Sequence, residues 1–363
     1  MKSLKFVLVT LLFSFILPES GFSAVSDSLK YVNAAEFQLI GKGFPDLKNA
    51  YQRLPDRLKG KTRPPVWSLS KNCSGLAIRF RTNSPVIAAK WEVTRDNTMN
   101  HFTPTGIKGL DLYCLINGKW QFVNTGRPAG KATSAVIIDH MAGNDMEYML
   151  YLPLYDGLES LEIGVKSTAS IDNPRADSPR KEKPVVFYGT SITQGGCASR
   201  AGMSYTSQLS RMLDRQVINL GFSGNGQLDL EIAEFMADID ASCFVMDCLP
   251  NVNLAQMNEK YIRFLEIIRE KRPDVPILMV ESILFPHMYF DQTVFSVIRD
   301  KNETLQKIYS IQKKKGDHNI YYLKADKLIG DDSEGTVDGV HLTDLGFLRM
   351  SQNLYPVIHK LIK

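Results

Sequence analysis

Between residues 76 and 93 the chain alternates apolar and polar positions with a period of two. Leu76, Ile78 and Phe80 alternate with Ala77, Arg79 and Arg81. After Thr82-Asn83-Ser84-Pro85, the residues Ile87, Ala89, Trp91 and Val93 alternate with Ala88, Lys90, Glu92 and Thr94. Neighbouring side chains of a strand point to opposite faces, so this stretch predicts a hairpin with one buried face. A second hairpin is predicted in DLYCLINGKWQFV, where Asn117-Gly118 supplies the residues a tight turn prefers. SLEIGV at 160–165 closes a set of short strands without a convincing helical pattern. From about residue 28 to 170 the chain therefore predicts an all-β sandwich.

Residues 167–184, STASIDNPRADSPRKEKP, are polar and hold three prolines, as a linker or surface strap would. Beyond Pro184 short apolar runs alternate with helical patterns. VVFYG precedes a helix from about Ser204, and VINLGF a helix near 228–238. CFVMDC precedes a helix near 258–272, ILMVES a long helix near 291–314, and IYYLKA a closing helix from about 344. Strands apolar on both faces, alternating with helices, form a parallel sheet covered on both sides. Five such units predict an α/β, flavodoxin-like, doubly wound five-stranded sheet. Such sheets place ligands at the carboxyl ends of their strands. The expected division is a β-sandwich domain over 25–172, a linker over 173–183 and the α/β domain over 184–363.

The first 24 residues have the grammar of a secretory leader. Lys2 and Lys5 precede an apolar stretch from Phe6 to Leu17, Pro18 breaks it, and Ser23 and Ala24 suit a cleavage site. The stretch falls short of the ~20 residues of a spanning helix. The mature chain is thus expected to be exported, periplasmic or secreted, with cleavage near residue 24 and no stable membrane insertion. A composition of 44% hydrophobic and 23% charged residues is globular. The net charge is +4, with no basic run to bind nucleic acid. Five cysteines make no disulfide framework. Cys243 and Cys248 would face opposite sides of a strand, Cys73 and Cys114 could pair across sheets, and no spacing resembles a zinc site.

Candidate chemistry collects at the predicted strand ends. The first strand ends in Gly189-Thr190-Ser191, the second in Gly221-Phe222-Ser223-Gly224-Asn225 and the third in Asp247-Cys248-Leu249-Pro250-Asn251. After the fifth comes DGVHLTDLG, with Asp338 three residues before His341. Taken singly, Ser191 reads as a helix cap, Gly224 as a turn glycine, Asn251 as a turn residue and His341 as a surface histidine. Together they supply what acyl transfer needs. Ser191 is the nucleophile, His341 its base and Asp338 the orienter, brought to the imidazole by one helical turn. The N–H groups of Ser191 and Gly224 and the Asn251 amide are the oxyanion donors. His287, after ESILFP, is a candidate pocket residue by its place at the fourth strand end. Cys197 is read as packing.

These four segments resemble the four blocks of the SGNH hydrolases, also called GDSL-type esterases. Their Ser, Gly, Asn and His map onto Ser191, Gly224, Asn251 and His341, with Asp338 as the acid. The first block reads GTSIT where many members have GDS, and the third reads DCLPN where many have GxND. Gly109-Leu110-Asp111-Leu112-Tyr113 resembles the GxDLY stretch of a β-domain that precedes some bacterial SGNH-type esterases; an ordinary strand start would look the same, and no site role is assigned to it. The resemblance implies an exported serine esterase acting on short-chain or acetyl esters, with carbohydrate as the expected alcohol and no metal or organic cofactor. The expected partner is a small-molecule or polysaccharide ester.

Other readings compete. A subtilisin-like triad runs Asp, His, Ser, whereas here Ser191 comes first and the Asp338-His341 pair last; the α/β-hydrolase elbow needs G-x-S-x-G, and residue 193 is Thr. A dinucleotide site would need G-x-G-x-x-G after the first strand. A lipase or phospholipase stays open, as does a catalytically silent carbohydrate-binding or adhesion protein. Trp91 and Trp120 could stack on sugars, although core packing is the ordinary role of such residues.

Overall fold

The computed structural model describes residues 29–45 and 50–363. The expected leader lies outside them. Period-two patterning resolves into two antiparallel sheets packed face to face. Their strands are β1 (Leu29–Asn33), β2 (Gln38–Ile40), β3 (Ala77–Thr82), β4 (Ile87–Val93), β5 (Leu110–Ile116), β6 (Lys119–Gly126), β7 (Ala132–Ile138), β8 (Met146–Tyr151), β9 (Leu158–Lys166) and β10 (Ile171–Asp172). One sheet has the order β1-β9-β4-β7. The other runs β10-β3-β8-β5-β6, with β2 also paired to β3. Phe80, Ile87, Trp91, Leu112, Leu150 and Ile163 fill the space between them.

One predicted hairpin is not a hairpin. β3 pairs with β2, β8 and β10, whereas β4 pairs with β7 and β9. Residues 82–85 form a corner that carries the chain from one sheet to the other, and Ser84 Oγ accepts the Lys166 N–H at 3.0 Å there. The inner faces of both strands meet the same core, so a hairpin and a corner leave the same period-two trace. The β5–β6 hairpin does form, with Asn117 and Gly118 at φ of 50° and 75°, the positive pair a type I′ turn requires.

The α/β domain holds β11 (Arg180–Gly189), β12 (Arg215–Gly221), β13 (Cys243–Asp247), β14 (Ile277–Val280) and β15 (Ile320–Leu323). They form a parallel sheet in the order β12-β11-β13-β14-β15. This is the flavodoxin-like arrangement, preceded by the β-sandwich. β11 opens at Arg180, so the last residues of the expected linker already lie in a strand. Two short helices, α1 (Pro64–Leu69) and α2 (Pro104–Lys108), belong to the amino-terminal part. The α/β domain adds α3 (Ser191–Gln194), α4 (Tyr205–Leu213), α5 (Leu230–Asp238), α6 (Leu254–Lys271), α7 (Gln292–Lys314) and α8 (Asp344–Leu361). The apolar run of β11 serves two cores. Val185 and Phe187 pack with Tyr205 and Phe347 on one side, and Val186 and Tyr188 with Phe235 and Phe264 on the other. Among the described residues no helix is long and apolar enough to cross a membrane.

The two domains share apolar surface. Ala77, Tyr113, Met149 and Tyr151 turn away from the sandwich core and join Ala198, Tyr205 and Leu209. The GxDLY-like stretch shows how one strand serves both sides. Leu110 and Leu112 point into the sandwich. Asp111 and Tyr113 point the other way. The buried Asp111 carboxylate accepts from Arg200 at 2.6 Å, from the Gly202 N–H at 2.8 Å and from Thr125 at 3.0 Å. Tyr113 Oη accepts from the same Arg200 at 2.7 Å. The stretch is an interdomain latch. Arg53, also buried, adds a second tie by donating to the carbonyls of Leu69, Asn72, Asn219 and Gly221. Its burial lowers its pKa to about 10.

Candidate active site

The turn that carries Ser191 begins where β11 stops. Thr190 caps α3 by accepting the Ile192 N–H, and Thr193 Oγ1 accepts the Thr190 N–H, both at 3.2 Å. This capping box makes Ser191 the first helical residue, where a backbone N–H has no partner within the helix. Gly189 is required, since a Cβ there would collide with Thr193 Oγ1 and Asp247 O. Beneath the turn lies the buried Asp247 carboxylate. It accepts from Thr193 Oγ1 at 3.0 Å and from Tyr205 Oη at 2.6 Å. Burial pushes its pKa up to about 6, against the pull of those two hydrogen bonds.

Ser191 Oγ lies 3.0 Å from His341 Nε2, and His341 Nδ1 lies 2.8 Å from Asp338 Oδ2. Three side chains from the first and last segments of the domain thus form one hydrogen-bonded row. The local route differs from the expected helical turn. Residues 338–341 precede α8 and are not helical. Asp338 Oδ1 instead accepts the N–H groups of Val340 at 3.0 Å and His341 at 2.7 Å, with Gly339 at φ 86°. A short acidic side chain competes with the helix for these donors, and it wins here. Burial alone would raise the Asp338 pKa, but the hydrogen bonds from His341 and Val340 bring it down to about 2. The carboxylate stays ionised at working pH and can accept the Nδ1 proton of the imidazole beside it.

The segment of one oxyanion candidate, Gly224, adjoins the same turn, where the Phe222 N–H donates to Gly189 O at 3.0 Å. Gly224 has φ 67°, and a Cβ there would meet nothing within 4 Å, so its backbone lies open to a ligand. Asn251 Oδ1 accepts the Gly226 N–H at 3.3 Å. That bond fixes the amide and leaves its NH₂ as donor. Gly226 is itself obligatory, since a Cβ would strike Gly189 O. Lys301 Nζ holds the turn at Asn251 by donating to Leu249 O at 3.1 Å and Pro250 O at 3.3 Å.

The amino-terminal domain reaches this site, which residue spacing did not suggest. Tyr155 Oη donates to Ser191 O at 3.1 Å. His101, in the segment between β4 and α2, sets its ring 5.5 Å from that of His341, with Nε2 4.0 Å from Asp338 Oδ2. The buried Asp156 accepts the N–H groups of Arg95 at 3.0 Å and Asn97 at 2.8 Å. That pins one wall of a cleft of roughly 340 Å³, which Ser223 and Asn225 close from the other domain. A lone histidine in a polar stretch carries no sequence signal, and only the docking of the domains makes His101 a neighbour of His341.

The remaining candidates fall as follows. His287 packs on the Asp338-Gly339 turn, where a Gly339 Cβ would lie 2.8 Å from its Nδ1, and stacks on Phe285. Cys197 is buried, at φ 74°, and its Sγ lies close to donor atoms of His101 and His341. Burial, helped by Asp338, pushes that thiol up to about 12. All five cysteines are free thiols. Trp91 is core, with Nε1 donating to Lys108 O at 3.0 Å. Trp120 lies under Arg79 and donates to Ser178 Oγ at 3.1 Å.

Comparison with known proteins adds lineage to this geometry. The GDSL-like lipase/acylhydrolase family model matches residues 182–359. The GxDLY model, the N-terminus of esterases of SGNH-hydrolase type, matches residues 29–171. A search of curated proteins gave no match. Among solved structures, a protein assigned as a GDSL-like lipase from Bacteroides ovatus is 40% identical. The match covers 92% of this chain and 98% of that one, with a TM-score of 0.88. The salicylyl-acyltransferase SsfX3 of a tetracycline biosynthetic pathway is 18% identical over 92% and 97% of the chains, at TM-score 0.74. An acetyl xylan esterase from Butyrivibrio proteoclasticus is 12% identical over 92% and 98%, at TM-score 0.56.

Proposed function

This chain belongs to the GDSL-like lipase/acylhydrolase family, and from that premise we propose that it is an exported serine esterase that removes short acyl groups, chiefly acetyl, from carbohydrate. The observation that carries the proposal is the unbroken row from Ser191 Oγ through His341 to Asp338, at 3.0 and 2.8 Å. As Ser191 attacks the ester carbonyl, its proton passes to His341 Nε2. The ionised Asp338 holds the Nδ1 proton and stabilises the imidazolium. Negative charge on the carbonyl oxygen is met by the N–H groups of Ser191 and Gly224 and by the Asn251 amide. The imidazolium returns its proton to the departing alcohol. His341 then draws a proton from water, which cleaves the acyl-enzyme and frees the acid.

The cleft bears on the substrate class. Asn72, Arg95, Asn97, Ser223 and Asn225 bring hydrogen-bonding groups to its lining beside the apolar Pro65, Leu69 and Met99, so it offers polar partners for a hydroxylated alcohol together with apolar contacts. Its fold is shared with an acetyl xylan esterase, and that agrees with the proposed class. The test is acetate release from acetylated glycans, run beside p-nitrophenyl esters of increasing chain length. Acetyl esters should be the best substrates, and Ser191→Ala should be inert. A Ser191→Ala variant as active as wild type refutes the nucleophile. Faster turnover of long acyl chains refutes the acetyl assignment and makes the protein a lipase-type hydrolase.

A further inference from the structure

His101, Cys197 and His341 come from three segments: the sandwich loop before α2, the turn after the nucleophile helix, and the loop before α8. Each offers one donor atom, and these atoms all lie within 4.8 Å of one another. Two imidazoles and a thiol are the donor set that borderline-soft divalent cations select. Around zinc, with bonds of about 2.0–2.3 Å, tetrahedral donors stand about 3.5 Å apart. Side-chain rotations closing the group by about 1 Å would meet that requirement. His341 is already dressed as such a ligand. Its Nδ1–H is held by Asp338 at 2.8 Å, the carboxylate–histidine support that fixes the tautomer and turns Nε2 outward as a donor. Cys197 is held at φ 74°, a conformation disfavoured for a side-chain-bearing residue, which the fold around it must enforce.

We propose that His101, Cys197 and His341 form an inhibitory site for a divalent transition cation of the zinc class. The metal–sulfur bond forms as the S–H bond breaks, and the proton leaves to solvent. His101 gives one ring nitrogen, and His341 gives the Nε2 lone pair that Ser191 otherwise uses. The fourth position is left to water. Occupied, the site removes the general base, so cation binding and ester hydrolysis exclude each other. The binding claim stands apart from the esterase reading; the inhibition claim rests on it.

The test uses the full chain with Co²⁺ and Zn²⁺ as probes. Co²⁺ should give a thiolate-to-cobalt charge-transfer band at one equivalent, and Zn²⁺ should displace it. Cys197→Ser should lose the band. His101→Ala, on a half-exposed ring, should bind at least about tenfold more weakly, since even groups that only support a ligand are worth that much. Ser191→Ala should keep the band. Zn²⁺ should suppress acetyl-ester hydrolysis by wild type, a chelator should restore it, and Cys197→Ser and His101→Ala should hydrolyse esters with little zinc sensitivity. Wild type without the band, or a band unchanged in Cys197→Ser, overturns the site. A band in a protein that hydrolyses no ester leaves the site standing and overturns the esterase reading. An active enzyme indifferent to zinc while bound to it overturns the inhibition.

Discussion

Replacing Asp247 with Asn isolates the electrostatic cost of the support under the nucleophile. The carboxyl is buried at the end of β13, and both of its hydrogen bonds, from Thr193 and Tyr205, fall on Oδ2. An Asn carbonyl oxygen can accept both, so the shape and the pinning of Thr193 survive while the ionisable group goes. In the fold the carboxyl titrates near 6, against 3.8 ordinarily. Because the folded value is the higher one, the native state holds the proton more tightly. The favourable contribution is complete below about pH 4 and is lost as pH rises through 6. At 1.36 kcal/mol per pH unit, the buried charge costs about 3 kcal/mol at neutral pH. Urea unfolding of wild type and Asp247→Asn between pH 4 and 7.5 reads this directly. The variant should gain about 2 kcal/mol relative to wild type across that range, and its neutral-pH esterase activity should stay within a few-fold of wild type. A difference flat with pH, or one that shrinks towards neutrality, refutes the reasoning.

Other substitutions probe the remaining parts of the site. Asn251→Ala removes one of the proposed oxyanion donors and should lower kcat on acetyl esters by ~10²–10³, with KM little changed, in steady-state assays. Asp338→Asn keeps the size of the side chain but disturbs the tautomer of His341, and kcat should fall by ~10⁴. Asp111→Ala leaves Arg200 and the Gly202 N–H without their buried acceptor; chemical denaturation should show a loss of about 3 kcal/mol, the lower end for a broken buried pair because Arg200 is partly exposed.

Much of the site was legible because a parallel sheet has a rule of place. Once β11, β12 and β13 are recognised as strands, their carboxyl ends share an edge, and Ser191, Gly224 and Asn251 must gather there whatever their distance in the chain. The same logic fails for β3 and β4. Their alternation is real, but it records which side chains are buried and says nothing about which strand is the hydrogen-bonding neighbour. In β3, Ala77 and Arg79 are as buried as Ile78 and Phe80, because on the face that alternation assigned to solvent the second domain covers Ala77, while Glu147, Trp120 and the Ala176 carbonyl cover Arg79. Asp338 and His341 met as expected, by a different backbone path, since a carboxylate three residues away reaches the ring from an Asx turn as well as from a helix.

The amino-acid order by itself determined two domain types, the order of the sheet-forming segments and the chemical kinds of the groups at their ends, since periodicity and turn chemistry are local. Only the tertiary structure decided what the sandwich is for. Asp111 and Tyr113 latch it to the second domain, Asp156 pins a cleft wall, and His101 stands against His341. Those relations depend on how two domains pack, and packing is a property of surfaces assembled from distant segments, which no stretch of chain carries alone.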